Sequence, residues 1–77
     1  MHSDDCYFHY RGFLLICDPA PLEGGGYRAR AAIARYDGTG DTLVASSPED
    51  VVLITEEAAV EYARAWAVDW IDANVPR

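Results

Sequence analysis

Thr55–Asn74, TEEAAVEYARAWAVDWIDAN, is the stretch that decides the fold. At about 100° per residue, Ala59, Tyr62, Ala63, Trp66, Trp70 and Ala73 fall on one stripe. Val60, Ala67 and Ile71 widen it on one side, and Glu57, Glu61, Arg64 and Asp72 lie opposite. This is the pattern of a helix that rests a broad apolar face on a core. Alanine, the best helix former, recurs through the stretch, and neither glycine nor proline interrupts it. Thr55 is suited to cap the N-terminus, because its hydroxyl can accept from an otherwise unpaired backbone N–H. Glu56 and Glu57 place negative charge at the positive end of the helix dipole. Ala58 holds the position of the glutamate in a capping box, so the box is incomplete. Pro76 stops the helix, and Val75 before it is biased away from helical angles. The stripe predicts close approach of a sheet at Ala59 and Ala63, with Trp66 and Trp70 as the large core residues.

Upstream of the helix the chain reads as strands. Cys6–Asp18, CYFHYRGFLLICD, is rich in aromatic and β-branched residues and forms the first, with Gly12 marking a bulge or a close approach. Pro19 and Pro21 end it, and Leu22–Gly26 is a flexible connection. Tyr27–Tyr36 is the second strand, where Arg28 and Arg30 alternate with Tyr27, Ala29 and Ala31. Asp37-Gly38-Thr39-Gly40 closes a hairpin onto the third strand, Thr42–Ser47. After the turn Ser47–Asp50, Val51–Ile54 is a short apolar extended run. The expected fold is α+β: a three-stranded antiparallel meander, four-stranded if Val51–Ile54 joins it, with one C-terminal helix packed across one face.

The 77 residues make a single domain, 1–77, in which residues 1–5 are expected to be disordered. A chain this short buries only a little over ~60% of its unfolded surface, so a partner, metal or disulfide would add needed stability. Its 51% apolar content argues against a disordered chain. Net charge is −7, with six arginines and no lysine. Such an acidic chain repels nucleic-acid phosphate and anionic membrane, so neither is an expected partner. The apolar run Phe13–Cys17 is too short, and lacks the basic flank, for a signal peptide or a membrane span. Cys6 and Cys17 therefore read as thiols of a reducing cytoplasm, which is the expected location.

Several residues are of types that carry chemistry. Cys6 and His9, within a cluster that also holds His2, Asp4 and Asp5, could supply two zinc ligands and Cys17 a third. No second paired motif completes the set, so no metal is expected. Cys17-Asp18 with His9 could form a nucleophile and base, but the eight residues from His9 to Cys17 span about 26 Å of extended strand. Gly24-Gly25-Gly26 lacks the Lys-Ser/Thr ending of a phosphate loop. Arg28, Arg30 and Arg35 beside Tyr27 and Tyr36 have the composition of a nucleic-acid stripe, but thirteen acidic residues offer them carboxylate partners. The expectation is therefore no catalytic residue, no cofactor and no enzyme. The anomaly is the first strand, which is apolar on both parities: Phe13, Leu15 and Cys17 on one, Leu14 and Ile16 on the other. One helix covers one face. The other needs Val51–Ile54 or a second copy of the protein.

The order Tyr10-Arg11-Gly12-Phe13, a glycine-rich turn, two further strands, Thr55-Glu56-Glu57-Ala58 and Trp70-Ile71-Asp72 resembles the small domain-of-unknown-function proteins of Burkholderia and related betaproteobacteria. That resemblance covers roughly residues 10 to 74 and implies a β-β-β-α fold without an established activity. A weaker similarity, in the threonine and acidic residues that open the helix after the meander, is to HicB-type antitoxin domains. The expected function is a non-enzymatic protein-interaction module that forms a weak homodimer, with Leu14, Ile16, Arg28 and Arg30 as its interaction face. The alternative is an antitoxin-like regulator that binds a basic protein.

Overall fold

The computed structural model describes residues 7–36 and 38–76. Its elements are β1 Tyr7–Tyr10, β2 Phe13–Cys17, β3 Ala20–Pro21, β4 Tyr27–Arg28, β5 Ala31–Tyr36, β6 Asp41–Ser46, β7 Val52–Leu53 and α1 Glu56–Asn74. The class is α+β, with antiparallel strands and a C-terminal helix, but seven strands in two sheets replace the expected three or four in one. The main sheet has the order β1-β2-β5-β6, and the minor sheet β3-β4-β7.

The expected first strand folds back on itself. Tyr10 and Phe13 pair across a two-residue turn in which Arg11 and Gly12 have φ of 52° and 85°. Positive φ at both central positions defines the hairpin turn whose twist matches its strands. Gly12 is thus a turn residue and not a bulge. The sequence conceals the turn because aromatic and aliphatic residues continue on both sides of a single glycine. The turn also inverts parity: Phe8 and Tyr10 lie opposite Leu15 and Phe13, and Tyr7 and His9 lie opposite Ile16 and Leu14.

The expected second strand is shared between the sheets, β4 in the minor and β5 in the main, with Ala29 and Arg30 at the crossing. Backbone bonds continue through it, from Asp18 N to the Arg30 carbonyl at 3.1 Å and from Ala29 N to the Val51 carbonyl at 2.9 Å. Pro21, expected to end a strand, lies in β3 on an edge of the minor sheet, where a missing N–H breaks no ladder. Gly26 lets β4 approach β7: a Cβ there would come 3.1 Å from the Leu53 carbonyl oxygen. Val51–Ile54 therefore supplies a strand of the minor sheet, and neither extends the main sheet nor covers it.

The helix starts where its cap predicts. Thr55 Oγ1 accepts from Ala58 N at 3.1 Å, and at the other end Val75 N donates to the Ile71 carbonyl at 2.8 Å. Its buried residues are Ala59, Ala63, Ala67 and Ile71, four residues apart. The buried stripe is thus rotated from the expected one: Trp66 and Trp70 are half-buried, Ala73 is exposed, and Tyr62 is 42% exposed. Three alanines in line let the helix backbone sit close to the sheet, which an indole in that position would prevent. Trp66 instead fills the margin of both core clusters. Across from the helix, the sheet contributes Phe13, Leu15, Cys17, Ala31 and Ile33 to the core. The β1–β2 turn is tied to the end of α1: the Tyr10 hydroxyl and Arg11 Nη1 donate to Asp72 Oδ1 at 2.8 and 3.2 Å, and Arg11 Nη2 donates to the Pro76 carbonyl at 3.0 Å.

Candidate interaction face

The main sheet has a second face. Cross-strand partners share a face, so the register assigns Tyr7, Ile16, Ala32 and Ser46 to one row away from the helix. His9, Leu14, Ala34 and Leu43 form the next row, and Tyr36 with Asp41 lies beyond them. Val44 is the extra residue at the β-bulge that separates the Ile33–Ala45 pair from the Ala34–Leu43 pair. Leu14, Ile16 and Ala32 are half-buried, whereas Leu43 is 64% and Tyr36 69% exposed. Among the described residues no element covers this face: the helix lies on the other side, and β7 belongs to the minor sheet. The Cα trace is only 15 Å deep along its thinnest axis, the depth of one sheet and one helix.

The face is apolar for a local reason. Both parities of β2 are apolar, and β5 opposes Leu14 and Ile16 with Ala34 and Ala32. Alanines leave the larger side chains of β2 standing above a flat floor. On the strand positions of this face the one carboxylate is that of Asp41, while Glu56, Glu57, Glu61 and Asp69 are exposed on the helix. The helical layer is thus acidic.

At one end of the face is a cleft of ≈ 160 Å³ lined by Ile16, Asp18, Arg30, Ala31, Ala32, Ser46, Ser47 and Glu49. Its wall is fixed by two hydrogen bonds: Ser47 Oγ accepts from Ala31 N at 2.9 Å, and Ser47 N donates to the Ala31 carbonyl at 2.8 Å. Arg30 and Asp18 approach to 3.9 Å with side chains 44% and 71% exposed, a solvated pair of small energetic weight. Arg28 is elsewhere, in the minor sheet, and donates through Nη1 to the Glu49 carbonyl.

Of the four residues expected at an interaction face, the fold brings Leu14, Ile16 and Arg30 to one side of the main sheet and puts Arg28 in the minor sheet. Tyr36 and Leu43 were missed. Alternation with Ala32 and Ala34 is the signal that places Tyr36 on this face, whereas its neighbouring arginines suggest a stacking residue. Those arginines form no stripe, since Arg30 and Arg35 fall on opposite parities of one chain segment and Arg28 lies in the other sheet.

The other expectations can be placed in part. His9 and Cys17 are not the ends of one extended strand; the hairpin sets His9 on the open face and Cys17 in the core under the helix. His2, Asp4, Asp5 and Cys6 lie outside the described residues. Among the described residues, no three of histidine, cysteine, aspartate and glutamate gather in a way that could hold a metal ion. No described helix is long and apolar enough to cross a membrane. Compared with protein-family models, with curated proteins and with solved structures, the chain matches none.

Proposed function

We propose that the chain is a non-enzymatic protein-interaction module that self-associates through the open face of its main sheet. The observation that carries this reading is the uncovered apolar surface around Leu14 and Ile16, which the minor sheet leaves bare. Covering it would remove apolar area from water, at roughly 25 cal/mol per Å². Isologous pairing is the commonest arrangement for such a surface. The charge of −7 per chain opposes association, so the dimer tightens as salt screens it. Sedimentation equilibrium at low and moderate salt tests this. A concentration-dependent dimer, strengthened by salt and abolished by Leu14→Asp, is expected. A monomer at every accessible concentration overturns it.

The acidic side of α1, with Glu56, Glu57, Glu61 and Asp69 exposed, favours a second reading. In it the helical layer masks a basic protein, as an antitoxin does. Rescue of growth when this chain is co-expressed with a toxic basic protein encoded by an adjacent gene supports that role. Rescue that persists after Glu57→Gln, Glu61→Gln and Asp69→Asn together counts against it.

A further inference from the structure

The two cysteines meet when the register of the β1–β2 hairpin is followed one step past β1. The ladder pairs Tyr10 with Phe13, Phe8 with Leu15 and Tyr7 with Ile16. Cys6 is joined directly to Tyr7, and one further step of the same register sets it against Cys17. Residues two apart on a strand share a face, so position 6 goes with Phe8 on the helix side of the sheet. Phe8 packs against the core cluster of Cys17, Ala31 and Ala63. In the row of Cys17, Ala31 stands on the β5 side, and position 6 falls on the other. The pair that closes a two-residue turn exchanges both backbone hydrogen bonds, and that phase returns at every second pair. Tyr10–Phe13, Phe8–Leu15 and the Cys6–Cys17 step therefore share it, with Cα atoms about 5.5 Å apart. Disulfides join Cα atoms about 4.4–6.8 Å apart. We infer that Cys6 and Cys17 are a redox pair that closes to a cross-strand disulfide and staples β1 to β2.

The order of the chemistry follows from burial. Cys17 is fully buried, so a dissolved oxidant does not reach its sulfur in the folded chain. Cys6 is accordingly the thiol that exchanges first. With glutathione disulfide as oxidant, the Cys6 thiolate attacks one sulfur, forms a mixed disulfide and releases one glutathione thiolate. The Cys17 thiolate then attacks the Cys6 sulfur, and the second glutathione leaves as its thiolate. The two cysteine protons pass to the departing thiolates, and glutathione gains the two electrons that the pair loses. The structural consequence falls on β1, which has four residues and, as an edge of the main sheet, pairs on one side only. The turn at Arg11 and Gly12 holds one end of β1 to β2, and the disulfide holds the other. It also closes residues 6–17 into a loop in the unfolded chain, which lowers the entropy gained on unfolding. Oxidation therefore stabilises the hairpin, and reduction returns β1 to its backbone pairing alone. This inference is independent of the proposed self-association.

The test equilibrates the full chain with glutathione disulfide or with reduced glutathione, then blocks remaining thiols. Arg11 is the one tryptic site between the two cysteines, so trypsin separates residues 1–11 from 12–28 unless a disulfide joins them. In the oxidised sample, mass spectrometry is expected to find these two peptides linked within one chain, at low and high protein concentration alike. The oxidised chain is expected to melt about 10 °C above the reduced chain, and a dithiol reductant is expected to reverse the shift. Cys6→Ser leaves the buried Cys17 in place, so it tests the pair without opening the core. That variant is expected to melt with the reduced wild type and to show no shift on oxidation. Thiols that stay unreacted, a glutathione adduct that persists on Cys6, or a link between two chains overturns the pairing. A linked chain that melts no higher than the reduced one shows that the bond does not fit the native ladder, and overturns it as well.

Discussion

The main sheet presents two apolar faces with different fates. On one, Phe13, Leu15 and Ile33 meet Ala67 and Ile71 of the helix and are almost wholly withdrawn from water. On the other, Leu14 and Ile16 come from the same strand and are chemically alike, yet are only partly buried above a floor of alanine. Hydrophobicity alone does not separate these residues. What separates them is the parity of the pleat and the single helix available to cover a face. One face is therefore the core of the monomer, and the other is left without a covering element among the described residues.

The contrast can be broken most directly from the helix side. Ile71→Ala should destabilise by about 2–5 kcal/mol, because it empties a fully buried position facing Leu15 and Ile33. Urea denaturation measures this, and a midpoint equal to wild type would remove Ile71 from the core. Trp66→Ala should cost about 2–3 kcal/mol, less than a fully buried tryptophan, because Trp66 is half-buried at the margin of both core clusters. A loss larger than that of Ile71→Ala would restore Trp66 to the centre of the stripe. Thr55→Ala should cost about 1 kcal/mol by freeing the Ala58 N–H, and it tests the helix without touching either face. Under conditions where the chain is monomeric, Leu14→Asp should cost about 1 kcal/mol, from lost partial burial and strand propensity. A loss comparable to that of Ile71→Ala would show that the open face is already covered within one chain. Chelator should leave the melting temperature unchanged, since Cys6 and His9 are expected to hold no metal. A fall reversed by zinc would place a metal beside His9, at the margin of the open face.

Much of this architecture was legible in the sequence. The Thr55 cap and the stop at Val75-Pro76 follow from local chemistry, and they appear within one residue of where that chemistry puts them. The double-sided character of β2 was equally visible, because five consecutive apolar residues leave neither parity polar. The cleft was not legible. It joins Ile16 and Asp18 to Arg30, Ser47 and Glu49, residues from three separate segments that meet only through the pairing of β2, β5 and β6. The β1–β2 turn was missed because Arg11 takes a left-handed conformation that nothing in its composition announces.

By itself, then, the sequence determined the helix, its ends, the extended character of most strand segments before it and the surplus of apolar residues on those strands. These depend on capping, backbone propensity and the periods of 3.6 and 2, which act between residues close in the chain. Tertiary structure alone decided which stripe of the helix is buried, where the long strands divide into two sheets and which apolar row stays open. Those choices are made by surfaces that must fit one another. A line of Ala59, Ala63, Ala67 and Ile71 lies closer to a sheet than a line of tryptophans, and closeness of packing is a property of two surfaces together.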